Sequence, residues 1–169
     1  MNYFKFSSFL AAATILSSLT AGPSQADSHC GKAAANKIYA QQLVNKLMVS
    51  NSDLLVVGLH AVAPNAKRET MIASNLDRIG KEDDADDIAV ATTGKTILAP
   101  NLKEPDKFEV QVPLKDRKGK LIGATGLVFK YKHGDDELKL HARAIAIRDE
   151  LAQKIPNLAA LFKPQQQLQ

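Results

Sequence analysis

The sequence predicts an α+β domain, one antiparallel sheet with a helix before it and a helix after it. Three observations carry that expectation. Phe108, Val110, Val112 and Leu114 alternate with Glu109, Gln111 and Pro113, the two-residue period of a strand with one buried face. The almost wholly apolar run 121–131 follows across a charged turn, Asp116-Arg117-Lys118-Gly119, so the two runs read as a long hairpin whose second strand lies inside a sheet. Helical periodicity marks both ends of the domain: Tyr39, Leu43 and Leu47 near the start, and Leu140, Ala144, Ile147, Leu151 and Ile155 near the end.

The elements follow in order. Residues 31–50 form the first helix, with Ala35 heading its stripe and Ala40, Val44 and Met48 beside it. Asn51-Ser52-Asp53 breaks the pattern, and Leu54 to Val62 is a strand of buried type. Pro64-Asn65 opens a loop, and residues 70–74 form a second, short strand. The acidic run Glu82, Asp83, Asp84, Asp86, Asp87 precedes Ile88-Ala89-Val90-Ala91. Carboxylates there suit the positive end of a short helix, and Gly94 is placed to cap its other end. A strand at 96–99 and a polar loop with two prolines lead into the hairpin. Asp135-Asp136-Glu137 start the last helix, Leu138, Ala142 and Ile145 widen its stripe, and Pro156 stops it. Residues 158–162 add one further turn, and 164–169 form a polar, disordered tail.

The first 26 residues read as a secretory signal peptide. Lys5 supplies the positive start, residues 9–19 the short apolar stretch, and Ser24-Gln25-Ala26 the small residues before the cut. A single domain at 27–163 is expected, periplasmic or secreted, with no membrane insertion after cleavage. Cys30 is the one cysteine among 169 residues, so no disulfide within the chain can form. The net charge is +4, charges of both signs are interspersed and tryptophan is absent, which argues against nucleic-acid binding. Cleavage after Ala26 would leave Asp27-Ser28-His29 at the new N-terminus. An amine, two amides and an imidazole in that order can wrap Cu²⁺ or Ni²⁺ in a square plane.

Four stretches together resemble a known family: VVGLHAVAP at 56–64, MIASNLDRIGKEDDADD at 71–87, the hairpin at 108–131, and the last helix through ALFKP. They resemble the extracytoplasmic PAS-like sensor domains of the Cache, or PDC, type, and most of all small exported versions and domains linked to receptors. The resemblance implies a PAS/Cache-like antiparallel sheet with N- and C-terminal helices, and a pocket on that sheet for a small ligand. It implies no reaction. Membrane-bound Cache sensors carry flanking transmembrane helices; with none expected here after cleavage, the domain acts alone or through a partner.

Candidate contacts cluster accordingly. His60 lies on the first strand, where it can hydrogen-bond a ligand or be satisfied by backbone and water. Ser74, Asn75, Arg78 and Lys81 fall within eight residues. Arg offers a planar fork and Lys a point charge for an anionic group, and in the resembling domains ligands bind near this region. The expected function is therefore small-ligand binding, with a small anionic molecule as partner and without catalysis. The alternative is an interaction module that self-associates as a homodimer or contacts a membrane receptor. No GxSxG, HExxH, CxxC or P-loop is present, and no cofactor or metal site is expected. The acidic run lacks the ligand spacing and turn glycine of an EF-hand. Glu109 is read as part of a solvated strand face.

Overall fold

The computed structural model describes residues 37–100 and 103–165. The signal segment, Asp27-Ser28-His29, Cys30 and the end of the polar tail lie outside the described residues. The elements run α1 (Tyr39–Ser50), β1 (Leu54–Val62), β2 (Glu69–Ser74), α2 (Ala85–Thr93), β3 (Ile97–Pro100), β4 (Lys107–Lys115), β5 (Leu121–Lys130), α3 (Glu137–Lys154) and α4 (Leu158–Leu161). The strands form one antiparallel sheet in the order β2-β1-β5-β4-β3. The α+β expectation holds. Strand β5 lies at the centre of the sheet, between β1 and β4. It is covered on both faces over much of its length, hence the missing polar alternation.

Strand alternation gives the sheet two different faces. Val57 and Leu59 of β1, Val110 and Val112 of β4, and Leu127 and Phe129 of β5 point to one side, where they pack with Leu43, Val44 and Leu47 of α1 and Ala144, Ile147 and Leu151 of α3. The opposite face carries Gly58 and His60, Glu109 and Gln111, and Gly126 and Val128. Among the described helices, α2 covers it, packing on β5 and β4. The part of that face beyond α2 is left open as a cleft.

Local chemistry explains the ends of the elements. Asp84 caps α2, and Asp87 three residues on completes a capping box. Gly94 closes the helix with φ +70°. Asp136 caps α3 by accepting from the backbone N–H of Leu138 and Lys139. The stripe of α3 is narrower than its sequence suggests: Leu138 is 73% exposed and Ala142 is exposed. The described part of the first helix begins at Tyr39, because Ile38 is extended and pairs with Pro164. The tail is likewise ordered further than expected, with the Gln165 N–H donating to Lys37 O at 2.7 Å. No helix among the described residues is long and apolar enough to cross a membrane.

The β4–β5 turn is held by one side chain. Asp116 is 4% exposed, and its Oδ1 accepts from the N–H of Lys118 at 2.9 Å and of Lys120 at 3.0 Å. Asp116→Ala leaves both donors without that acceptor and is expected to cost about 1–2 kcal/mol. The check is the midpoint of a urea unfolding curve, which should fall with an unchanged slope.

Candidate functional site

The open face of the sheet holds a cleft of about 470 Å³, lined by apolar Val56, Leu76, Met71 and Val128 and by polar His60, Asn75, Arg78, Lys107 and Glu109. Two glycines clear its floor. A Cβ at Gly58 would lie 3.0 Å from His60 Nε2, and one at Gly126 would lie 3.4 Å from Glu109 Oε1 and 4.0 Å from His60 Nε2. Side chains at these positions would crowd the imidazole and the carboxylate. A smaller adjoining cleft of about 180 Å³ is shared by His60, Arg78, Lys81, Asp83, Asp87, Glu109 and Gln111 among others.

The segment after β2 builds the far wall by doubling back. Gly80 N–H donates to Met71 O at 2.8 Å, Met71 N–H donates to Lys81 O at 3.0 Å, and Thr70 bridges to Glu82. The outer edge of β2 is thereby paired over this stretch. The same return brings Asp83 beside His60, which faces β2 across from Met71, and α2 then carries Asp87 over the sheet.

His60 is 5% exposed. Its Nδ1 meets Asp83 Oδ1 at 2.7 Å and lies 3.7 Å from Asp87 Oδ2. An ionised carboxylate can only accept, so the imidazole is the donor. Asp87 Oδ1 accepts in turn from Gln111 Nε2 at 3.2 Å. Burial alone would lower the His60 pKa, but the Asp83 hydrogen bond and the charges of Asp87, Asp83 and Glu69 together raise it. Burial raises the surrounding acids too. Glu69 is pushed up to about 7, by burial and then by the Asp83 charge. Asp87 and Glu109 are raised, chiefly by burial with neighbouring carboxylates adding to it.

The structure gives the expected contact residues different places. His60, Asn75 and Arg78 line the larger cleft, and His60, Arg78 and Lys81 line the smaller one. Arg78 is exposed, with no ion pair among the described residues. Lys81 is also exposed, with Nζ on Asp84 Oδ2 at 2.9 Å. The Asn75 side chain is committed to the fold: Oδ1 accepts from Val57 N–H and Nδ2 donates to Leu55 O, both at 2.9 Å, extending the β2 ladder by one side-chain amide. Ser74 lines neither cleft. It is fully buried, its Oγ accepts from Leu76 N–H, and its backbone is clipped by Gln41 of α1 through Nε2 to Ser74 O and Ser74 N–H to Oε1.

Two readings of the sequence are corrected here. Glu109 is not part of a solvated face; it is half-buried in the cleft wall, because α2 packs on β4 and β5. The acidic run is only partly a helix terminus. Asp84 and Asp87 do serve the N-terminus of α2, but the Asp83 side chain is 1% exposed and turned onto His60. Sequence carries little sign of that pairing, since the partners are 23 residues apart.

No protein-family model matches the sequence, and no curated protein matches it significantly. Solved structures do. The GAF domain of nlh2 from A. aeolicus aligns with TM-score 0.51 and 11% identity, over 72% of this chain and 84% of that chain. A type II free methionine-R-sulfoxide reductase from Thermoplasma acidophilum aligns with TM-score 0.49 and 16% identity, over 67% and 86%. The GAF domain of a two-component sensor histidine kinase from Bacillus halodurans aligns with TM-score 0.47 and 16% identity, over 66% and 89%. The architecture of this chain, a five-stranded antiparallel sheet flanked by helices, is that of the GAF and PAS-like folds.

Proposed function

We propose that this protein is a small-ligand-binding, sensor-type domain of the Cache/PDC kind that works outside the cytoplasm, without catalysis of its own. The observation that carries the reading is the cleft on the open sheet face. Its volume of about 470 Å³ falls in the range of small-molecule sites, roughly 300–1,000 Å³. Apolar and polar side chains share its wall. Arg78 at the rim, without an ion pair among the described residues, is a guanidinium suited to an anionic group, while Val56, Leu76 and Val128 suit an apolar body. Glu109 and His60 Nε2 on the floor supply the remaining polar contacts. The signal-like first 26 residues support export.

Thermal-shift screening with small carboxylates of differing apolar bulk tests the binding. A ligand that binds only the folded state raises Tm by mass action. Arg78→Gln should abolish the shift given by a carboxylate hit while moving the unliganded Tm little, because the side chain is exposed and unpaired. A hit that Arg78→Gln leaves intact contradicts the assignment of the anion to Arg78. A screen with no hit contradicts the ligand-binding reading. Mass spectrometry of the N-terminus of protein recovered from the cell envelope or medium tests export, with Asp27 expected as the first residue.

A further inference from the structure

We propose that His60, Asp83 and Asp87 form a site for one divalent first-row metal ion that accepts mixed nitrogen and oxygen donors, of the Mn²⁺ or Zn²⁺ class. Each residue offers one ligand atom, and all three atoms lie within 4.8 Å of one another. Donors around an ion held at about 2.1 Å sit roughly 3–3.5 Å apart, so the His60–Asp87 separation of 3.7 Å must close slightly and the hydrogen-bonded His60–Asp83 separation of 2.7 Å must open slightly. The three residues come from β1, the returning loop and α2, so the fold itself gathers them.

Unsatisfied oxygens point the same way. Among the described residues, Asp83 Oδ2 is buried without a hydrogen-bond partner, and the side chain is only 1% exposed. A carboxylate oxygen stripped of water and left unpaired is costly. Gln111 Oε1, on the residue that steadies Asp87, is buried and unpartnered as well. Acidic groups crowd the site: Asp83, Asp87, Glu69 and Glu109 lie around a single imidazole, the cations Arg68 and Lys81 pair outward with Glu82 and Asp84, and Arg78 is exposed at the rim of the cleft. A divalent ion brings positive charge to the buried carboxylates themselves.

The donor set selects the ion. One imidazole with carboxylates suits borderline first-row ions; the nitrogen disfavours Ca²⁺ and Mg²⁺, and the absence of thiolate disfavours soft ions. On binding, His60 Nδ1 gives up its proton to solvent and Asp83 changes from hydrogen-bond acceptor to ligand. The adjoining cleft of about 180 Å³ provides the entry path and room for water in the remaining coordination positions. The ion would also lie beside the larger cleft, since His60 lines both.

Isothermal titration of the chelator-treated full chain with MnCl₂ and with ZnCl₂ tests this. Saturable binding of at least one ion is expected, with Asp83→Asn and Asp87→Asn each weakening it by more than roughly tenfold, because removing only the partner of a ligand already costs about 10–100-fold. Glu150→Gln, which changes an exposed acid of α3 that lines neither cleft, should leave the affinity unchanged. Circular dichroism confirms that the variants fold. Paramagnetic broadening by Mn²⁺ of the His60 ring signals in the unaltered protein gives a readout that needs no variant. Failure to bind either ion, affinity untouched by both substitutions, or His60 signals spared by bound Mn²⁺ would each overturn the site.

Discussion

Gly123→Ala is expected to be among the most disruptive single substitutions in this chain, costing about 3 kcal/mol or more. A Cβ at Gly123 would lie 1.9 Å from the carbonyl oxygen of His60 and 3.0 Å from its carbonyl carbon. Both are backbone atoms inside the β1–β5 pairing, so no side-chain rotation relieves the overlap. The φ of +155° adds to the strain for any residue with a side chain. Strand β1 must move away from β5 at His60, and the imidazole shifts with it. Two other glycines serve as controls. A Cβ at Gly126 meets only side-chain ends, Glu109 Oε1 at 3.4 Å and His60 Nε2 at 4.0 Å, and one at Gly119 meets nothing within 4 Å. Gly119→Ala should cost about 1 kcal/mol, the penalty of a positive φ of +80° in a turn. Urea unfolding of the three alanine variants checks the order. A Gly123→Ala midpoint within error of the wild type would refute the close approach of β5 to β1.

The contrast between those glycines shows what could be read in the sequence and what could not. Strand β1 is legible to the residue, because a nine-residue apolar run bounded by Asn51-Ser52-Asp53 and Pro64-Asn65 admits few other states. Helix α2 is legible through its acidic start and Gly94, both local signals. The hairpin is legible through its alternation and its turn. The need for glycine at position 123, by contrast, depends on which strand lies beside β5, a long-range fact. The same holds for the site. His60 could be placed on a strand, but its pairing with Asp83 depends on the return of residues 80–83 along β2, held by backbone hydrogen bonds that leave no periodic trace. Local chemistry accounted for Asp84 and Asp87 as helix-end charges and so drew attention away from Asp83 between the turn and the cap. Ser74 and Asn75 looked like ligand contacts because polar side chains at a strand end suit that role. The C-terminal end of β2 needs hydrogen-bond partners first, and these side chains, with Gln41, supply them.

Phe129→Ala should approach the effect of Gly123→Ala for a different reason, and it tests the two-faced sheet on which the cleft depends. Phe129 is fully buried, lies across from Phe108 on β4 and pairs with Leu54 on β1. Phe108 is also fully buried and packs its ring 5.3 Å from that of Tyr131. Removing the Phe129 ring takes the largest class of side chain out of the core layer under α1 and α3, where transfer and cavity terms add. The expected cost is about 3–5 kcal/mol, a large share of the roughly 5–15 kcal/mol that holds a domain folded. Val128, the preceding residue on the same strand, is half-buried and lines the cleft instead. Val128→Ala should cost about 1 kcal/mol or less, since solvent already reaches one side of it, and should weaken any ligand that stacks there. Denaturant unfolding separates the two. A well-packed core on one face and an open cleft on the other require Phe129→Ala to be several times the more damaging; equal costs would mean that the cleft face is packed like the core and that β5 has no open side for a ligand to meet.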